Sequence, residues 1–527
     1  MPTLYRNGRI YTPVASDATA MLVDGATIAW IGREDGADRH PGFQVVDLDG
    51  ALVTPAFVDA HIHATASGLA LSGLDLATTA TLAQALDLVE RAARASRGRP
   101  VLGGRWDETR WPERRPPTTQ ELDRAGYGGA VYLARVDAHS AVVSSSLAAS
   151  VPGLRDLAGY RADGWLTTAA HDAARTAALA VLTSRQTRDL QRAALRHAAS
   201  LGIACVHEMA GPAISSADDL SVLLALSRDE AGPEVIGYWG ELFGIDTARE
   251  LGAVGAGGDL FCDGSLGSHT AALRAPYSDW PDTSGTLRFE TADLAEHVVR
   301  CAEAGLQAGF HVIGDAAMDQ VLDALDVVAE RLGRPGGSGH RIEHAEYVHD
   351  PDRLAASGLL ASMQPLFDAT WGGPVGMYAE RLGNERAGRL NRFAELTAAG
   401  VPVAFGSDSP VTPLGPWAAV RAAVHPSDRT AAMSVVAAFT AHTRTGWRAA
   451  RRDGEGRLAP GTAATFAVWQ TGETDADQLR EPTAPPSSRV RPAAPVLPDI
   501  SPGLALPSCL ATVRAGTTIF DGGIGGA

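Results

Sequence analysis

Val53-Thr54-Pro55-Ala56-Phe57-Val58-Asp59-Ala60-His61-Ile62-His63 is an apolar run that stops on two histidines at i and i+2. In a strand, residues two apart leave the chain on the same side, so the two imidazoles project together. At the C-terminal end of a strand in a parallel α/β barrel, that side faces the mouth where such enzymes do their chemistry. A bare His-x-His pair is more often two solvated strand-end histidines than a metal site. What decides between the readings is whether other strands end the same way.

They do. After Leu201 short apolar runs alternate with Ala- and Leu-rich helical stretches. Ala204–His207 precedes a helix over Asp218–Arg228, and Asp259–Cys262 follows. Gly309–Ile313 precedes a helix over Met318–Leu332, and His340–His344, Leu359–Gln364 and Val401–Gly406 complete the series. Strand–helix alternation on this scale predicts an α/β protein built on a (β/α)8 TIM barrel. His311, His344 and Asp408 each fall at the end of one of these runs. Together with His61 and His63 they make an imidazole-and-carboxylate set suited to Zn²⁺, with Fe²⁺ or Mn²⁺ as alternatives.

Working outward, the first fifty residues alternate in the β manner over Tyr5–Tyr11, Ala20–Val23, Thr27–Ile31 and Phe43–Leu48. Asp24-Gly25 and Asp49-Gly50 supply turns. Such a unit cannot close a core alone, and Ala464–Gln470 and Leu510–Phe520 read as its partners. The expected organisation is a composite β-sandwich from residues 1–53 and 455–527 around a barrel spanning 54–454. Residues 64–200 exceed what two βα units need and are expected to hold an inserted cap. Residues 471–505, rich in Pro, Ser and Thr notably over Glu481–Pro498, are expected to form an extended loop.

Composition excludes several classes. The 527 residues carry 45 Lys plus Arg against 61 Asp plus Glu, a formal net charge of −16. That balance argues against nucleic acid or an anionic membrane as partner, because phosphate affinity needs clustered cations. No window approaches the roughly 18 apolar residues of a membrane helix, and residues 1–13 lack a signal-peptide core. The four cysteines show no CxxC spacing, so reduced thiols and a cytoplasmic location are expected. A small molecule is the expected substrate, and a homodimer is a candidate assembly.

Several further motifs stand beside the strand ends: Trp106-Asp107-Glu108, Trp111-Pro112-Glu113, Pro117-Thr118, Leu122-Asp123 and Arg135-Val136-Asp137-Ala138-His139. They continue with Asp263-Gly264-Ser265-Leu266-Gly267-Ser268, His311-Val312-Ile313-Gly314-Asp315, Ile342-Glu343-His344-Ala345 and Gly406-Ser407-Asp408-Ser409-Pro410. With Thr54 to His63, this set resembles the amidohydrolase superfamily, and within it the YtcJ-like branch (amidohydrolase family 3), over nearly the whole chain. The resemblance implies a distorted (β/α)8 barrel with a composite β-sandwich. It also implies that His61, His63, His311, His344 and Asp408 occupy metal-site positions.

A divalent ion lowers the pKa of its water and polarises a carbonyl, and Asp408 is placed to act as base and then acid. The expected function is hydrolysis of a C–N bond in an amide, formamide or cyclic amide. A deaminase acting on an amidine or heterocycle, or a non-catalytic barrel, are the alternatives. One departure matters: Asp259 stands where relatives of this branch commonly carry a lysine able to bridge two ions as a carbamate. Aspartate cannot form a carbamate and is shorter, so a single ion is the expected loading. Asp259 as a ligand, or Glu208 or His207 from an adjacent strand, are the other readings. Asp315 is expected to support a ligand, while His269, where relatives usually carry arginine, and Trp106 are candidates for shaping the substrate pocket.

Overall fold

Phe57–Ile62 (β1) is buried at every position, as a strand covered on both faces must be. Around it, in a computed structural model that describes residues 2–37, 43–471 and 497–524, seven more strands lie parallel and in sequence order. They are Ile203–Ala210 (β2), Glu234–Trp239 (β3), Gly255–Ala256 (β4), Gln307–Val312 (β5), Arg341–His344 (β6), Leu360–Met363 (β7) and Val403–Phe405 (β8). The sheet closes on itself beyond β8. The Asp408 N–H donates to the His61 carbonyl at 2.8 Å, and the His63 N–H donates to the Ser409 carbonyl at 3.0 Å. This is a distorted TIM barrel, and its closing seam carries the first and last candidate ligands.

Two strands differ from expectation. Glu234–Trp239 is a full barrel strand whose run, broken by Gly237, carried no periodic signal. Asp259–Cys262 is not a strand. The fourth strand is the two-residue Gly255–Ala256, and the chain then bends through Gly257 and Gly258, at φ 150° and 81°. A Cβ on Gly257 would stand 2.2 Å from the Gly309 nitrogen, so β5 leaves room for glycine only. That bend delivers Asp259 to the barrel mouth. The segment behind it stays tied to β5, because Cys262 N–H donates to the His311 carbonyl at 3.1 Å.

Residues between β1 and β2 build an α/β unit around a five-stranded sheet. Its order is Trp165–Thr167, Ser140–Val143, Val131–Arg135, Val101–Trp106, Leu74–Asp75. It has its own apolar core around Trp106, Trp111, Leu122 and Val131. The unit is pinned over the mouth by charge. Arg135, fully buried, pairs with Asp137 at 2.9 Å, and Asp137 accepts from the hydroxyls of Ser265 (2.6 Å) and Ser268 (2.8 Å) in the loop after Asp263. Gly267 lets that loop pass, since a Cβ there would meet Arg135 Nη1 at 2.2 Å.

At the other end of the barrel, Leu52–Pro55 pairs antiparallel with Phe466–Gln470, which pairs in turn with Ser508–Arg514. Tyr5, Met21 and Val23 share one core with Phe466, Val468 and Val513, so both chain ends fill a single interior. Leu510–Phe520 is a hairpin rather than one run, Ser508–Arg514 and Thr517–Asp521, turning on Ala515 and Gly516 at positive φ. Most of the Pro-rich 471–505 segment lies outside the described residues. All four cysteines are free, and among the described residues no helix is long and apolar enough to cross a membrane.

Candidate metal centre

Four strand ends and the Gly-Gly bend bring His61, His63, His311, His344, Asp408 and Asp259 into one cluster. Each histidine is held by one ring nitrogen so that the other faces inward. His61 Nδ1 lies 3.0 Å from the Glu343 carboxylate, His63 Nδ1 2.9 Å from the Met209 carbonyl, and His344 Nδ1 2.9 Å from Gln364 Oε1. An Nδ1–H donated to each of these acceptors leaves the Nε2 lone pair directed into the cluster. His311 is mounted the other way. Its Nε2 is 3.2 Å from the Gly264 carbonyl, and its Nδ1 turns inward. His61 Nε2, His344 Nε2 and Asp408 Oδ1 are buried without a hydrogen-bond partner, a costly state for protein groups alone. His344 and Asp408 also take left-handed backbone, φ 68° and 52°, as strained residues at functional sites do.

Asp259 is the hub. Its Oδ1 is 3.0 Å from His311 Nδ1 and 3.4 Å from His344 Nε2, while its Oδ2 is 3.4 Å from His63 Nε2 and 3.6 Å from His61 Nε2. Short as it is, the Asp259 side chain faces both histidine pairs, one oxygen to each. The Gly257-Gly258 bend moves the backbone inward and replaces side-chain length. Asp408 Oδ1 lies 3.0 Å from His63 Nε2 and 3.4 Å from His61 Nε2. Three donor triads arise, each with atoms within 4.8 Å of one another: His61/His63/Asp259, His61/His344/Asp408 and Asp259/His311/His344. Burial alone would raise Asp259 and Asp408, but the facing histidines hold both below the usual carboxylate range. Two buried carboxylates facing four imidazoles, with three triads of donor atoms in reach of one another, make a donor set that fits a divalent metal.

Behind the cluster runs a support not anticipated from sequence. Burial would raise Glu343, yet Arg341 and then His61 draw it down to about 2. Arg341 binds Glu343 Oε2 at 2.9 Å, the Ala60 carbonyl at 2.7 Å and His207 Nδ1 at 3.0 Å. Arg341 and Glu343, both wholly buried in a barrel strand, were the sequence signal: charge in a run that should be apolar has to serve a neighbour.

The remaining candidates lie elsewhere. His207 points down the barrel to Arg341, and burial drives it well below its ordinary value, so it holds Arg341 as a neutral acceptor. Glu208, its neighbour on the opposite face of β2, accepts the Ala64 N–H at 2.8 Å beneath the helix Ala64–Ser72, and burial lifts it to about 8. Neither belongs to a donor triad, because β2 carries no bend like that after β4. Asp315 does not touch His311. It binds His349 Nε2 at 2.8 Å and the Arg274 N–H at 3.0 Å, facing away over the start of its helix. His269 pairs with Asp279 at 3.0 Å and lines a separate cleft of ≈ 600 Å³. Trp106 is wholly buried in the inserted unit's core, its Nε1 donating to the Leu133 carbonyl at 2.9 Å, so it shapes that core and not the pocket. From the same unit His139 does arrive, its ring 4.8 Å from that of His311.

Two cavities of unequal size meet at the cluster. One of ≈ 140 Å³ runs from His63, Asp259, His344 and Asp408 up under the inserted unit, walled by Leu69, Leu102, Tyr132, Leu179 and Phe261. The other, ≈ 20 Å³, lies against His311, His344 and Asp408 and is bounded by Glu346, Phe367, Trp371 and Tyr378.

The putative amidohydrolase YtcJ of Bacillus subtilis is 26% identical over 461 residues, covering 80% of this chain and 84% of that protein. The N-substituted formamide deformylase of Arthrobacter pascens is 25% identical over 519 residues, covering 88% and 93%. The crystal structure of an uncharacterized metal-dependent hydrolase from Pyrococcus furiosus superposes with a TM-score of 0.69 at 27% identity, over 89% of this chain and 98% of that one. The model of the amidohydrolase family matches residues 44–520, and the chain therefore belongs to the amidohydrolase family and is a metal-dependent hydrolase.

Proposed function

We propose that the protein hydrolyses the C–N bond of an open-chain amide whose carbonyl carries one small group and, through nitrogen, one apolar group about the size of a phenyl ring. The unequal cavities on the two sides of the cluster carry this reading. The larger, ≈ 140 Å³ and mostly apolar, approaches the ~150 Å³ at which an engineered protein cavity binds benzene. The smaller, ≈ 20 Å³, exceeds only slightly the ~10–15 Å³ that admits a single water-sized group. The relative from Arthrobacter pascens is named for N-substituted formamides, which share that asymmetry.

Each half of the donor set, His61 with His63 and His311 with His344, can hold an ion, with Asp259 shared between them. Zinc suits the imidazole and carboxylate donors. When bound, the metal would lower the pKa of water and polarise the substrate carbonyl. The chain's own residues do the rest. Asp408, whose Oδ1 faces His63 and His61 at 3.0 and 3.4 Å, takes the proton of the attacking water and returns it to the departing nitrogen. Glu343 and Gln364 keep His61 and His344 in one tautomer through the cycle. The apolar walls under the inserted unit exclude bulk water and strengthen each charge interaction inside.

The test is release of formate and amine from N-benzylformamide by the zinc-loaded protein, compared with N-benzylbenzamide. Turnover of the formamide well above the benzamide is expected. No C–N cleavage on either, or preference for the bulky acyl group, would overturn the proposal.

A further inference from the structure

Asp137, His139, His344, Asp408 and Val411 border both cavities of the cluster and so frame the junction where the two spaces meet. All but one are accounted for. His344 and Asp408 belong to the donor triads, Val411 is apolar, and Asp137 is spent on Arg135, Ser265 and Ser268. His139 is the exception. Its ring packs 4.8 Å from that of His311 and 5.1 Å from that of Phe261, and among the described residues neither ring nitrogen has a hydrogen-bond or ion-pair partner. It lies outside every donor triad and is partly exposed, not sealed in. The turn that carries it is tied down at each residue. Val131–Arg135 and Ser140–Val143 pair antiparallel, with Ala138 between them at φ 56°. The Val136 N–H donates to the Trp106 carbonyl at 2.9 Å and the Ala138 N–H to the Arg135 carbonyl at 3.0 Å. Arg175 donates to the Ala138 carbonyl, and the His139 N–H donates to Asp137 Oδ1 at 3.3 Å. A fixed backbone with an uncommitted polar head is the build of a group preorganised for a ligand.

We infer that His139 is a catalytic residue of the hydrolysis, donating a ring N–H to the oxygen of the scissile carbonyl and to the negative charge that grows there as water adds. This rests on the amide-hydrolase reading above and deepens it. An acyl group in the small cavity and a nitrogen substituent in the large one leave the carbonyl at the junction, beside His139 and Asp408. Asp408 serves the water and the departing nitrogen, so the group left for His139 to meet is the oxygen. The imidazole gains and loses no proton in this role, and no bond to it forms or breaks. A donor fixed in place beforehand needs no reorientation as charge develops, and removing one such donor slows an acyl-transfer enzyme about 10²- to 10³-fold.

Hydrolysis of N-benzylformamide by zinc-loaded wild type, His139→Phe, His139→Asn and His139→Gln separates hydrogen bonding from packing. Phenylalanine keeps an aromatic ring against Phe261 and His311 but donates nothing. Asparagine and glutamine lose the ring and place an amide N–H near the positions of Nδ1 and Nε2. Zinc content is measured on the same preparations. In His139→Phe kcat should fall about 10²- to 10³-fold, with zinc unchanged and KM within about threefold of wild type. At least one of His139→Asn and His139→Gln should exceed His139→Phe in kcat by about tenfold. Near-wild-type kcat in His139→Phe overturns the inference, because the ring is then only a wall. Zinc lost in proportion to activity also overturns it, because His139 then acts through the metal ligands. So does an Asn and Gln pair both as slow as His139→Phe. In each of these cases wild-type turnover leaves the hydrolase reading standing. A wild type that does not cleave the formamide removes both.

Discussion

In the proposed mechanism turnover depends most directly on Asp408. It lies where the barrel closes, 3.0 Å from His63 Nε2, in a left-handed backbone conformation that the seam enforces. Asp408→Asn keeps the shape and removes the basic oxygen, so kcat should fall by about 10³-fold or more while circular dichroism stays unchanged. Near-wild-type kcat in that variant would dismiss the assignment. In the proposed site Asp259 would set the loading. With one oxygen toward each histidine pair, elemental analysis should find two ions per chain, against the single ion that side-chain length alone suggested. One equivalent in fully active protein would restore the simpler site.

At the scale of elements, the inserted unit and the loop after Asp263 are held together by a few buried polar contacts. Gly267 lets the loop run directly beneath Arg135 and Asp137. Gly267→Ala should force that interface apart, costing about 1–3 kcal/mol of stability and lowering kcat/KM more than global unfolding accounts for. Wild-type thermal stability with wild-type kinetics would show that the interface does not need this approach.

The helix Ala64–Ser72 rests on Glu208, which burial raises from the ordinary range to about 8. An acid whose folded pKa is raised binds more protons folded than unfolded. Its contribution is complete below the unfolded value near 4.5 and is lost as pH climbs toward 8. Glu208→Gln should therefore flatten the decline of Tm over that window, with the variant's advantage growing toward pH 8. A parallel offset at every pH would dismiss the coupling.

For the whole molecule, candidate ligands drawn from β1, β5, β6, the β8 seam and the bend after β4 would make a bound metal a cross-link between distant parts of the chain. Chelation should abolish activity and lower Tm by about 2–4 °C, with zinc restoring both. Loss of activity with no change in Tm would mean that metal binding is not linked to folding.

His61, His63, His311, His344 and Asp408 were legible from sequence because a strand end is a local event. An apolar run stops, and the residue that stops it is at the mouth. Alternation of strands and helices likewise declared the barrel, and paired β-type runs at both chain ends declared a shared sheet. Glu234–Trp239 escaped because a buried strand broken by glycine has no period, and Asp259–Cys262 misled because its apolar run follows the strand instead of forming it. Glu343, Gln364 and Met209, which orient the ligands, are recognisable only once strands from across the barrel lie side by side. The same holds for the placing of Trp106, His269 and Asp315 away from the cluster. Sequence thus pointed to the residues that converge and to the scaffold that gathers them. Tertiary structure alone decided how far Asp259 reaches and what flanks the cluster, because a glycine bend can supply the reach that a side chain lacks and cavities are enclosed by residues far apart in the chain.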